Sequence, residues 1–74
     1  MKYHVLIAPA ATGIILNTDA NSYHSGPELP YLHFDSLDDV TSFASRTVSI
    51  FGQLEFIVYD EFNEYLKMIY PEKL

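Results

Sequence analysis

Ser36-Leu37-Asp38-Asp39-Val40-Thr41-Ser42-Phe43-Ala44-Ser45-Arg46-Thr47-Val48-Ser49-Ile50-Phe51-Gly52 is the stretch on which the fold turns. Leu37, Val40, Phe43, Ala44, Thr47, Val48 and Phe51 recur at spacings of three and four. That period lays one apolar stripe along a helix of residues 36–50. Ser36 is a good N-cap, and Asp39 stands three residues on, as in a capping box. Asp38 and Asp39 in the first turn complement the positive end of the helix dipole. Gly52 is a natural residue just past the C-terminus. Ser42, Ser45 and Ser49 give the opposite face a weakly polar surface.

Outward from this helix the period changes to two. On its C-terminal side, Leu54 to Tyr59 reads as a strand, with Leu54, Phe56 and Val58 on one face and Glu55, Ile57 and Tyr59 on the other. Residues 61–70 read two ways. Phe62, Tyr65, Leu66, Ile69 and Tyr70 fit a helix. Leu66, Met68 and Tyr70 fit a strand, with Asp60-Glu61-Phe62-Asn63 as the turn and Asn63 in its left-handed position. The hairpin is the preferred reading, and Pro71 ends either element. On the N-terminal side, Tyr31 to Phe34 is a short strand. Residues 19–30 hold Asn21, Ser22, Ser25, Gly26, Pro27 and Pro30, an unusually long irregular stretch for a small chain. Residues 3–8 and 14–16 read as two strands of a hairpin joined through Pro9 to Gly13.

The expectation is therefore an α+β fold with order β-β-β-α-β-β, the alternative having residues 61–70 helical. One helix packs on one face of a mostly antiparallel sheet, and residues 1–74 form a single domain without a linker. The sheet's other face has no helix to cover it. With Tyr3, Tyr59, Tyr65 and Ile69 available, that face is expected to serve as an interface.

Composition narrows the class. The chain has 74 residues, six Tyr, five Phe and no Cys. It is too apolar and aromatic for a disordered tail. A core of this size yields roughly 3–5 kcal/mol, and neither disulfide nor thiolate metal site supports it. The N-terminal apolar run is broken by Pro9 before reaching the roughly 7–15 residues of a signal-peptide core. No stretch approaches the roughly 20 apolar residues of a membrane span. A cytoplasmic location without membrane contact is expected.

Charge is the more informative quantity. The net charge is −6. Residues 35–64 carry Asp35, Asp38, Asp39, Glu55, Asp60, Glu61 and Glu64 against Arg46 alone. Phosphate backbones require Lys and Arg to neutralise them, so direct nucleic-acid binding is not expected, whereas a basic partner suits this segment.

Chemistry-bearing patterns are sparse. His4, His24 and His33 could meet Asp19 or Asp35 at a metal, but no tight ligand pair such as His-x-x-x-His or Cys-x-x-Cys occurs. Adjacent acids such as Asp38–Asp39 or Asp60–Glu61 diverge rather than converge on one substrate atom, and capping or turn chemistry explains them. The serines form no G-x-S-x-G elbow, and Thr12-Gly13 lacks the glycine spacing of a phosphate loop. No catalytic residue, cofactor or metal site is assigned, and the chain is not expected to be an enzyme. Tyr23, Tyr31, Tyr59, Tyr65 and Tyr70 are many for this length. Tyr is favoured at protein interfaces, though it also suits ordinary strands.

The leading expectation is a small acidic protein-binding module that docks on a basic surface of a larger protein. Asp35, Asp38, Asp39, Asp60, Glu61 and Glu64 would make its charged contacts, with Tyr59 and Tyr65 as aromatic anchors. In size and charge the chain resembles small inhibitors encoded by phages and mobile elements, which act on host defence nucleases. That resemblance rests on no motif. It implies a sharper form of the expectation, an inhibitor whose carboxylates mimic nucleic acid. A self-associating module, a homodimer through the uncovered face or an edge strand, is the alternative. A small-molecule binder or enzyme using the 19–30 loop and His24 or His33 ranks last.

Overall fold

A computed structural model describes residues 2–70. The helix α1 spans Leu37–Phe51. Four strands surround it in sequence: β1 (Tyr3–Pro9), β2 (Leu32–Phe34), β3 (Leu54–Tyr59) and β4 (Tyr65–Ile69). They form one sheet in the order β2-β1-β3-β4. Every neighbouring pair is antiparallel. The order is thus β-β-α-β-β, an α+β fold of the expected class. α1 carries the chain from β2 on one side of β1 to β3 on the other.

α1 is placed by the capping residues read from the sequence. The Ser36 Oγ accepts from the Asp39 N–H at 3.1 Å. At the other end the Gly52 N–H donates to the Val48 carbonyl at 2.9 Å. Gly52 holds φ 94° and ψ −152°, a conformation essentially confined to glycine. Val40, Ala44, Thr47 and Val48 are buried beneath the helix. Val40, Ala44 and Val48 form one core cluster with Val5 and Ile7 of β1 and Leu54, Phe56 and Val58 of β3. Leu37 and Phe43 pack at the margin, and the Phe43 ring stands between Phe34 and Phe56 at 5.3 and 5.9 Å. Phe51, the last member of the expected stripe, is instead 44% exposed, because the core ends one turn earlier at Val48.

Three expectations are corrected. First, residues 14–16 do not form a strand. β1 is already paired by β2 along Tyr3–Val5 and by β3 from His4 to Pro9. One position of its outer edge beyond β2 is taken by Leu16, whose N–H donates to the Ile7 carbonyl at 2.8 Å. The chain then doubles back, with Leu16 opposite Tyr23, and the Asn17 N–H bonded to the Ser22 carbonyl. Asp19 closes this reversal by accepting from the N–H groups of Asn21 and Ser22. Leu16 and Ala20 enter the core, so the early part of the 19–30 loop is anchored.

Second, the helical alternative for residues 61–70 does not occur. Asp60 to Glu64 forms a hairpin turn: the Asp60 N–H donates to the Glu64 carbonyl, and Asp60 Oδ1 accepts from the N–H groups of Phe62 and Glu64 at 2.8 and 2.9 Å. Asn63 takes the left-handed position at φ 66°. Strand pairing satisfies the outer edge of β3, which a helix here would leave open. Third, Tyr3 and Ile69 pack against the helix-side core rather than on the uncovered face. Among the described residues, no helix is long and apolar enough to cross a membrane.

Candidate functional site

Strand register decides where the acids go. Tyr3 of β1 lies opposite Phe34 of β2, His4 opposite Tyr59 of β3, and Tyr59 opposite Tyr65 of β4. The end of β2, the start of β1, the end of β3 and the start of β4 therefore share one end of the sheet. Asp35 follows β2 at that end, and the first turn of α1 with Asp38 and Asp39 follows directly. The β3–β4 turn brings Asp60, Glu61 and Glu64 to the same end. β2 and β3 are separated by β1 alone, roughly 10 Å at two strand spacings. Both groups of carboxylates thus border one end of the sheet.

Two of the six are internally occupied. The Lys2 ammonium donates to Asp35 Oδ1 at 2.6 Å, with both side chains largely exposed. This bond and the Lys2 charge hold the Asp35 carboxyl below its ordinary range. Asp60 serves its turn. The carboxylates of Asp38, Asp39, Glu61 and Glu64 make no hydrogen bond or ion pair with other described residues. Glu55, by contrast, lies near the opposite end of β3, beside Ala8.

The same register builds a second feature, on the sheet face away from α1. Alternation places His4, Leu6 and Ala8 of β1 there, with His33 of β2, Glu55, Ile57 and Tyr59 of β3, and Met68 of β4. A register shift at Val58/Tyr59 brings Tyr65 beside Tyr59. A row of rings crosses the face. His33 meets His4 at 4.7 Å between centroids, His4 meets Tyr31 at 5.7 Å, Tyr31 meets Tyr59 at 5.7 Å and Tyr59 meets Tyr65 at 6.3 Å. Among the described residues no helix lies on this face, yet Leu6 and Ala8 are only 2% and 0% exposed. The Tyr59 phenol is pushed up, first by partial burial and then by the hydroxyls of Tyr31 and Tyr65. The Asn63 Oδ1 in the acidic turn lies 3.4 Å from His4 Nδ1, which ties the row to that turn.

Tyr59 and Tyr65 thus stand together beside Glu61 and Glu64. Tyr31 joins them, while Tyr23 and Tyr70 do not. His4 and His33, candidate metal ligands by residue type, are members of the ring row. The signal available in the sequence was that His4 shares a strand face with Leu6 and Ala8. The pairing to His33 needed the β1–β2 register. Among the described residues, no three His, Cys, Asp or Glu side chains are grouped to hold a metal ion. A shallow depression of about 560 Å³ on the outer face of α1 is lined by Asp38, Thr41, Ser42, Ser45 and Arg46. It gathers no histidine and no part of the 19–30 loop.

No family model, curated protein or solved structure matches this chain.

Proposed function

We propose that this protein is a small acidic protein-binding module that docks its carboxylate-bearing end on a basic surface of a larger protein. The observation that carries this reading is the gathering of Asp35, Asp38, Asp39, Asp60, Glu61 and Glu64 at one end of the sheet, with Lys2–Asp35 the one ion pair among the described residues. Like charges collected over a short distance cost self-repulsion in the free protein. A cationic partner relieves that cost and is attracted from a distance. Tyr59 and Tyr65 beside the acids supply apolar contact area with polar tips, the residue type that anchors interfaces.

In its sharper form the module is an inhibitor that occupies a phosphate-binding groove in place of nucleic acid. Carboxylates in two groups at one end of the sheet would stand in for backbone phosphates. Capture on the immobilised full chain tests both forms. The expected catch is a protein with a basic surface, eluted by moderate salt and, for the mimic, displaced by DNA or RNA. A catch retained in high salt, or one without a basic surface, contradicts the electrostatic reading. Displacement by salt but not by nucleic acid removes the mimic alone.

A second reading, self-association, is favoured by one observation. Among the described residues β4 is an edge strand, and it carries Tyr65 and Leu66 at 59% and 44% exposure, a ready template for another strand. It predicts a dimer by light scattering, and a monomer at high concentration contradicts it.

A further inference from the structure

We infer that the ring row on the helix-free sheet face receives arginine side chains of the basic partner, an assignment that rests on the docking proposed above and names its aromatic half. Four observations lead there. First, the strand residues facing this side include no Lys or Arg. Lys67 of β4 lies opposite Val58 and so points to the helix side, and Lys2 is held by Asp35. Second, the turn that joins Tyr59 to Tyr65 carries Glu61 and Glu64, whose carboxylates have no partner among the described residues, so a cation seated on these rings lies beside anions.

Third, the rings are set for a planar cation. Tyr31 and Tyr59 stand at 88° to one another and Tyr59 and Tyr65 at 78°. Near-perpendicular rings present π faces in more than one direction, and a guanidinium stacks on such faces while its N–H groups reach neighbouring oxygens. Fourth, the Tyr31–Tyr59 and Tyr59–Tyr65 ring centroids lie 5.7 and 6.3 Å apart, so three phenols border one surface.

A half-exposed aromatic sheet face is also the kind of platform on which single-stranded nucleic acid stacks its bases. Here the charge decides against it: that mode requires a cationic groove for the phosphates, and this face is bordered by anions. Successive bases also stack in parallel, whereas these rings alternate in orientation. A compact ammonium gains less than a guanidinium from such rings, so arginine is preferred over lysine.

The test is NMR of the full chain with labelled aromatic side chains. It is titrated with a blocked Arg-Gly-Arg-Gly peptide, the Lys-Gly-Lys-Gly equivalent, and a short oligouridine. The arginine peptide is expected to shift the Tyr31, Tyr59 and Tyr65 ring signals and to half-saturate at a concentration about threefold or more below the lysine peptide. Tyr65→Ala, at an exposed position outside the core, should weaken the arginine response about threefold or more while amide signals of β1 and β3 stay in place. Shifts confined to the amides of Asp38, Asp39, Glu61 and Glu64, with the ring signals still, would overturn the inference and leave acid-end docking standing. Equal ring shifts in the Glu61→Lys, Glu64→Lys variant would overturn the docking reading itself. Ring shifts with oligouridine instead of the peptide, or on raising the protein concentration alone, would assign the face to nucleic acid or to a second copy and overturn the inference.

Discussion

Ser36 and Gly52 bracket the helix by different physics, and their substitutions separate the two. Ser36→Ala removes the oxygen that accepts the Asp39 N–H. The expected loss is about 1 kcal/mol in denaturant unfolding, with the helix still present by circular dichroism. Gly52→Ala adds a methyl that meets nothing within 4 Å, yet φ 94° strains any residue with a Cβ. Its expected cost is about 1–3 kcal/mol, with no loss of packing. Equal stability of wild type and Gly52→Ala would show that the chain leaves this conformation freely. At Asp19, the N–H of Asn21 chiefly, helped by Ser22, holds the carboxyl below its ordinary value of 3.8. A depressed folded value means stability present above that pH and lost as pH falls through the folded value. Asp19→Asn keeps the shape and removes the charge, so its stability should fall less steeply than wild type below pH 3.8. Parallel acid profiles would contradict this.

At the scale of elements, β3 holds the molecule together, since it pairs with both β1 and β4 and packs on α1. Phe56 at its centre is 0% exposed and meets the Phe43 ring. Phe56→Ala should cost about 3–5 kcal/mol, the whole stability available to so small a core, and leave the chain unfolded by circular dichroism. Phe62→Ala, at a turn position 77% exposed, should change stability by less than about 0.5 kcal/mol. The legibility of the elements follows the same physics. α1 and β3 were readable because each packs on the core through a regular local stripe, and local period is what a sequence displays. Residues 14–16 looked like a strand because Ile14, Ile15 and Leu16 have strand character. They do not extend into one, because the chain bonds to the outer edge of β1 at Ile7 through Leu16 and then turns back at Asn17 toward Ser22, a tertiary pairing that local strand character does not display. Residues 61–70 supported two periods equally until β3 supplied an open edge. The acids were readable as a run in sequence, but their assembly at one end depended on register. So did the ring row, whose members come from β1, β3, β4 and the segment around β2.

At the scale of the molecule, charge and aromatic surface are organised along the sheet. The end where β1 begins carries the carboxylates of Asp38, Asp39, Glu61 and Glu64, unpaired among the described residues. The opposite end carries the exposed Ile50 and Phe51 after the last buried turn of α1. Binding that uses this asymmetry responds to where charge is placed and not only to how much there is. That distinction can be measured on two variants with the same change in net charge. Glu61→Lys with Glu64→Lys alters the acidic end; Glu28→Lys with Asn21→Lys and Ser25→Lys alters the loop beside the outer edge of β1. The decisive measurement is the affinity of both variants, by calorimetry at physiological salt, for the basic protein captured by the wild type. The account predicts at least tenfold weakening for the end variant and near wild-type binding for the loop variant. Equal weakening in both would mean that bulk charge alone attracts the partner, and an unaffected end variant would mean that the carboxylates gathered there take no part in binding.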